Sequence, residues 1–146
     1  MFLFLRWRYI AAACNSEVCL FSRDGNLIWS YRGAAEVDGE LHDVFIYSPS
    51  IFSDGEYIAA LGVIKIKNRA IIYFFDKNSN LLWENKTVCA NSLHISLNGE
   101  YIIATGKGIC FFNKDRKLLW KYDTPTPIVS VSTSFDGSYI AIGGGS

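Results

Sequence analysis

Three segments of this chain spell one hairpin: LFSRDGNLIWSY from Leu20, FFDKNSNLLWEN from Phe74 and FFNKDRKLLWKY from Phe111. A repeat of this kind constrains the fold more than any composition does, because each copy must be one supersecondary unit stacked on the next. Aligning Trp29, Trp83 and Trp120 brings further features into register. Each hairpin follows a small-residue stretch: YIAAAC from Tyr9, YIAALG from Tyr57 and YIIATG from Tyr101, with a fourth, YIAIGG, from Tyr139. Three of the four are introduced by a turn, DGE at Asp54, NGE at Asn98 and DGS at Asp136. Asn-Gly and Asp-Gly between apolar runs mark tight turns, since both residues tolerate positive φ.

The pieces carry strand chemistry. LLWKY alternates, with Leu118, Trp120 and Tyr122 on one face and Leu119 and Lys121 on the other. VCLF, IYFF and ICFF are continuously apolar, as strands covered on both sides are. No segment has helical periodicity. The unit is therefore strand, turn, strand, loop, strand, polar turn, strand, here labelled A to D, and the chain is expected to be all-β.

Four antiparallel strands in a repeated unit resemble a β-propeller blade. The Trp-bearing hairpins and the DGEYIAALG-type strands are similar to those of the quinoprotein-like (PQQ-like) and WD40-like repeat families, and the resemblance covers nearly the whole chain. It implies four-stranded blades, about 3 to 3.5 of them, in a partial propeller: blade one at about 2–32, blade two at about 43–86, blade three at about 92–123 and a partial blade four at about 128–146. FLFLR is the candidate for strand A of blade one. It also implies that Trp29, Trp83 and Trp120 pack between blades. Pro49 suits strand A, which has one free edge where a missing N–H costs little. A closed propeller takes four blades or more, so the expectation is a fragment of a longer chain, a ring assembled from copies, or an open solenoid, with self-association through the open blade edges.

The repeat also locates insertions. The interval from Tyr57 to Phe75 exceeds those from Tyr9 to Phe21 and from Tyr101 to Phe112 by the stretch VIKIKNR, a B–C loop. The interval from Trp29 to Tyr57 exceeds its counterparts by GAAEVDGELHD, a D–A loop. In the four-stranded unit both loops leave on one face, and long loops on a rigid repeat are where binding concentrates. One insertion offers Glu36, Asp38, Glu40, His42 and Asp43, the other Lys65, Lys67 and Arg69. They form either a polar recognition patch or a pair of loops that neutralise one another. His42 beside Glu40 and Asp43 is expected to be a solvated loop residue, and His94, next to Ile95, a structural histidine.

Charge and composition narrow the function. Fourteen basic residues balance fourteen acidic ones, half the residues are apolar and 15% are aromatic, which favours a packed domain over disorder and gives no field for nucleic acid or an anionic membrane. No apolar run approaches a membrane span, so the chain is expected to be soluble and cytoplasmic, or extracytoplasmic if an upstream signal or anchor precedes it. Asn85 in NKT would then be a glycosylation acceptor. DKNSN places Asp76, Asn78 and Asn80 like the start of a calcium loop, but Leu81 stands where Gly is required and Thr87 where the bidentate Glu belongs, so turn chemistry is expected there. The cysteines, Cys14, Cys19, Cys89 and Cys110, show no zinc spacing. Cys19 and Cys110 share one repeat position, held by Tyr73 in the middle copy. Cys14 and Cys19 are either a cross-strand disulfide or, as in a cytosolic protein, thiols.

Quinoprotein dehydrogenases typically add adjacent cysteines and a calcium-binding carboxylate set, and neither is present. The expectation is therefore a non-catalytic interaction module, with no cofactor and no metal, binding a protein or peptide through the B–C and D–A loops. The other reading is a piece of a propeller enzyme, quinoprotein-like or hydrolytic, whose active site lies largely outside this chain.

Overall fold

The computed structural model describes residues 8–52, 55–64, 69–87 and 90–145. Every regular element in these residues is a β-strand. The strands β1 (Tyr9–Cys14), β2 (Glu17–Ser22) and β3 (Leu27–Arg32) form a three-stranded antiparallel sheet in that order. A separate hairpin, β4 (Ala34–Val37) and β5 (Glu40–Asp43), follows. Two complete four-stranded sheets come next: β6 (Phe45–Ile51), β7 (Tyr57–Ile64), β8 (Arg69–Asp76) and β9 (Leu81–Thr87), then β10 (Ser92–Ile95), β11 (Tyr101–Thr105), β12 (Gly108–Asn113) and β13 (Leu118–Asp123). A last pair, β14 (Ile128–Thr133) and β15 (Ile140–Gly144), forms a two-stranded sheet. Within each sheet the order follows the chain, so the architecture is all-β with A-B-C-D sheets. The FLFLR segment lies outside the described residues.

Three hydrophobic clusters lie between successive sheets and account for the stacking. The first joins Val18 and Leu20 of β2 to Ile58, Ala60, Tyr73 and Phe75 of the second sheet. The next joins Ala59, Leu61, Ile72 and Phe74 to Leu93, Ile102, Ala104 and Phe112 of the third. The last joins Ile103, Ile109 and Phe111 to Ile128, with Val131 and Ile140 against it. Alternate residues of one strand thus serve two different interfaces, which explains the unbroken apolar runs: β8 is buried from Ala70 to Phe75. Small residues sit where sheets approach closely. A Cβ on Gly62 would stand 2.3 Å from Val44 Cγ1.

The turns show a refinement of the sequence expectation. At Asp38-Gly39 both residues have positive φ (53° and 79°), as a two-residue hairpin turn requires. At Asn98-Gly99 and Asp136-Gly137 only the glycines do (73° each). There the longer turn closes through Gly99 N–H to the Ser96 carbonyl and Gly137 N–H to the Ser134 carbonyl, at 2.8 and 3.0 Å. The acid or amide caps the turn from its side chain instead: Asn98 Oδ1 accepts from the Glu100 N–H, and Asp136 Oδ1 from the Ser138 N–H. Pro49 stands in the edge strand β6, where the register skips from Tyr47 to Ser50 and Ser48 has φ 47°. An edge-strand bulge is where a strand tolerates proline.

Candidate functional site

Two ends of the stack can be told apart by their backbone hydrogen bonds. At one end, B–C turns meet D–A connections. The Asn15-Ser16 turn receives Gly33 N–H on the Ser16 carbonyl and Ile46 N–H on the Asn15 carbonyl, both at 2.7 Å, and the Gly106 carbonyl receives Ile128 N–H at 2.8 Å. At the other end, A–B turns meet C–D turns. Arg23 N–H reaches the Arg8 carbonyl and Lys114 N–H the Glu100 carbonyl, while Lys77–Glu56 and Lys114–Glu100 ion pairs span the same positions at 3.0 and 3.1 Å.

The acidic insertion lies at the first end, and it is ordered. It forms the β4–β5 hairpin, not an open loop, because AAEV and ELHD alternate around a two-residue turn. Ala35 and Val37 are buried in the same cluster as Ile64 and Ile71, the ends of β7 and β8 that flank the B–C tip. This brings the hairpin to the blade that carries the basic insertion. Lys65 and Lys67 lie outside the described residues, and Arg69 is exposed on β8.

The register divides the five candidate residues of the hairpin. Val37 faces Glu40 and Ala35 faces His42 on the inward side, whereas Glu36 faces Leu41 and Ala34 faces Asp43 on the outward side. His42 is accordingly half-buried, with Glu40 Oε2 3.9 Å from its Nε2. Glu36, Asp38, Glu40 and Asp43 are all exposed, Glu40 despite its inward register position. Asp43 is held by Arg32 of β3, whose Nη2 lies 3.2 Å from each carboxylate oxygen. An exposed pair of this kind contributes little stability, but it fixes the base of the hairpin. Leu41, 76% exposed, was not singled out in the sequence. Its signal was present: with Ala35 and Val37 inward, hairpin register forces Leu41 outward beside Glu36.

Several other candidates are absorbed by structure. Asp76 closes its own turn, with Oδ1 accepting from the Asn78 and Asn80 N–H groups and Oδ2 from Asn80 Nδ2 at 2.9–3.0 Å. Desolvation is the largest single influence and raises the pKa, but those bonds and the neighbouring Lys77 together outweigh it and hold the carboxyl below its usual range. His94 lies in β10 with Ser92 Oγ 3.3 Å from Nε2, and desolvation lowers its pKa. Cys14 and Cys19 are not joined; Glu17 faces Cys14 and Ala12 faces Cys19 across the β1–β2 ladder. Cys19 and Cys110 belong to different sheets. Cys89 is outside the described residues. Among the described residues no group of three metal-ligating side chains converges, and no helix is long and apolar enough to cross a membrane.

The three tryptophans are not equivalent. Trp29 Nε1 donates to the Lys77 carbonyl at 3.0 Å, with its ring against Phe75 of the next sheet. Trp83 Nε1 donates to the Lys114 carbonyl at 2.7 Å, with Phe112 of the next sheet beside it. Trp120 stacks on Phe111 of its own sheet, centroids 5.1 Å apart, as Trp83 stacks on Phe74. Yet Trp120 is 42% exposed: among the described residues the sheet that follows has two strands, β14 and β15, and no C–D turn receives the Trp120 N–H.

No protein-family model matches the chain, and no curated protein matches it in sequence. Solved structures do match its fold. One is the Dos1 propeller, at TM-score 0.67 and 13% identity over 89% of this chain. Another is a protein of unknown function from Bacteroides caccae, at TM-score 0.60 and 12% identity over 88% of this chain. The chain spans 34% and 47% of those two structures. Identity this low carries fold alone: antiparallel sheets, two of them four-stranded, that match part of a propeller.

Proposed function

We propose that this chain is a non-catalytic propeller segment that binds a protein or peptide partner through the end where the β4–β5 hairpin shares a hydrophobic cluster with Ile64 of β7 and Ile71 of β8. The observation that carries this reading is the outward face of the hairpin. An exposed leucine, Leu41, stands beside Glu36 on a rigid two-stranded scaffold, with Arg69 on the neighbouring pair of strands. An apolar anchor with a charged rim on an ordered scaffold is the usual anatomy of a recognition patch. Lys65 and Lys67 extend the basic side of the patch in sequence.

The test is affinity capture with the 146-residue chain as bait, compared with Leu41→Asp/Glu36→Lys and with Asp115→Lys/Lys117→Glu at the opposite end. Loss of captured proteins with the first variant alone supports the reading. Equal capture by all three baits removes it. The chain's span of under half of the structures it matches favours one other reading, a piece of a propeller enzyme whose reacting groups lie elsewhere. Turnover of quinone-dependent or ester substrates by a longer form of the protein, and by no form of this segment, would support that reading instead.

A further inference from the structure

One hairpin carries two thiols on one face. Cys14 ends β1, Cys19 lies within β2, and the ladder sets Cys14 against Glu17 and Ala12 against Cys19. Facing residues share a face and alternate residues return to it, so Cys14 and Cys19 are diagonal neighbours on the same side. Both are free thiols, Cys14 exposed beside the Asn15-Ser16 turn and Cys19 buried. The second sheet shows that this diagonal brings side chains together. There Ala60 faces Tyr73, so Gly62 holds the position of Cys14 and Tyr73 that of Cys19. A Cβ on Gly62 would stand 2.9 Å from the Tyr73 ring. The third sheet has Gly106 and Cys110 at these two positions.

The two thiols are chemically unequal. Burial comes first among the causes that push the Cys19 pKa up, followed by the charge on Cys14, the charge on Glu17 and a side-chain hydrogen bond to Cys14. The thiolate is the nucleophile, so exposed Cys14 reacts first and Cys19 second. A sulfur held in a mixed disulfide carries no charge. Capping Cys14 therefore removes one of the causes that keep Cys19 protonated. Diagonal neighbours stand about 7–8 Å apart at Cα, beyond the roughly 4.4–6.8 Å that a disulfide spans. A bond made here draws Cys14 along the ladder, and a strained, accessible disulfide is one that is readily reduced again.

This end of the first sheet holds the base of the β4–β5 hairpin. The Asn15 and Ser16 carbonyls, next to Cys14, accept from the Ile46 and Gly33 N–H groups, each at 2.7 Å. Those two donors flank the hairpin on either side. A second link runs through side chains. Glu17 faces Cys14 on one side and Arg32 on the other, and Arg32 Nη2 lies 3.2 Å from each carboxylate oxygen of Asp43. The row Cys14, Glu17, Arg32, Asp43 thus joins the thiol to the last residue of β5.

We propose that Cys14 and Cys19 form a reversible disulfide in response to a low-molecular-mass disulfide, and that the bond loosens the base of the β4–β5 hairpin. The Cys14 thiolate attacks one sulfur of the oxidant, whose S–S bond breaks and releases one thiolate. The Cys19 thiolate then attacks the Cys14 sulfur, the mixed disulfide breaks and the second thiolate leaves. The two released thiolates take up the protons that the two cysteines lost, so the protein gives up two electrons and the oxidant becomes two thiols. Drawing Cys14 toward Cys19 pulls the Asn15 and Ser16 carbonyls from their donors. As regulation of the binding end, the device rests on the function proposed above; the bond and its effect on the hairpin base are read without a partner.

The test treats the full 146-residue chain with oxidised glutathione. The product is expected to be lighter by two hydrogens, and cleavage after Glu17, between the two cysteines, should leave fragments joined until a reductant is added. Cys19→Ser should stop at a mixed disulfide on Cys14. Cys14→Ser, at an exposed position, should slow oxidation of Cys19 at least roughly tenfold, as burial of a thiol does. Amide exchange at Gly33 and Ile46 should quicken roughly 2- to 10-fold on oxidation, the worth of a weakened backbone hydrogen bond, and return on reduction. Thr124 and Ile128 make the corresponding bonds to Lys107 and Gly106 in the third sheet and should not change. A chain that stays reduced, that keeps glutathione on Cys14 or that links either cysteine to Cys89 or Cys110 overturns the proposal. So does a Cys14–Cys19 bond that leaves exchange at Gly33 and Ile46 unchanged. Equal capture by all baits in the preceding experiment would remove the binding reading and leave these results standing.

Discussion

The indole N–H of Trp83 and the carbonyl of Lys114 are 2.7 Å apart, joining strand D of one sheet to the C–D turn of the next. Trp29 and Lys77 repeat the arrangement at 3.0 Å. Each bond fixes the outer rim of one sheet against its neighbour, while aromatic stacking fills the space beneath. Replacing Trp83 by Phe removes the donor, keeps most of the packing and is expected to cost about 1 kcal/mol. Trp83→Ala is expected to cost about 3–5 kcal/mol. Trp120→Phe is expected to change stability by less than about 0.5 kcal/mol in dilute solution. Urea unfolding of the three variants checks the order.

Tyr73 is fully buried, yet its hydroxyl has no hydrogen-bond partner among the described residues. Burial, with Tyr31 and Glu84 nearby, pushes its pKa up. The position holds Cys19 and Cys110 in the other copies, side chains with no strong donor to satisfy. Tyr73→Phe is therefore expected to be neutral or to stabilise the chain by about 1–2 kcal/mol, because it deletes an unpaired buried hydroxyl without changing shape. Thermal and urea unfolding both read it; a loss of more than about 1 kcal/mol would contradict this environment.

Gly62 lies in β7, where the D–A connection passes over the sheet. Its added Cβ would lie 2.3 Å from Val44 and 2.9 Å from the Tyr73 ring. Gly62→Ala is expected to destabilise by about 1–3 kcal/mol, as overpacking does. Its first effect should be on the hairpin base, read as faster amide exchange at Val44 and Ile46.

Stability should fall with pH in two separate windows. His94 has its pKa lowered by desolvation, so the unfolded chain binds a proton that the fold resists. Its contribution is complete above about pH 6.5 and is lost as pH falls from there toward the folded value. Asp76 and Asp136 behave as depressed carboxylates, the latter through the Ser138 hydroxyl and N–H and the Ser134 hydroxyl. Their contribution is present above about pH 4 and lost below it. His94→Gln should flatten the first window and leave the second, in unfolding curves taken from pH 8 to 3.

Strand type, sheet order and the stacking of sheets were legible because the repeat aligned Trp29, Trp83 and Trp120 with four YIAA-type strands. Period-2 patterns and turn glycines then fixed the rest. The β4–β5 hairpin was less so. AAEVDGELHD stands outside the repeat, and Ala35 and Val37 are too few to announce a buried face until the sheet beneath them is known. The difference between Trp83 and Trp120 was also hidden, since it depends on what lies beyond each residue and not on the residue. Asn98-Gly99 and Asp38-Gly39 look alike in sequence; the distance between the strands they join decides which turn each forms. Of the candidate binding residues, the sequence located the acidic insertion, and only the register separated Glu36 and Asp43 from His42 and Glu40.

Hydrogen exchange of the tryptophan indole N–H groups, followed by nuclear magnetic resonance in dilute solution, tests the stacked-sheet arrangement most directly. Trp29 and Trp83 should be protected and shifted by their carbonyl acceptors, with Trp120 exchanging far faster. Uniformly fast exchange at all three positions would contradict the account.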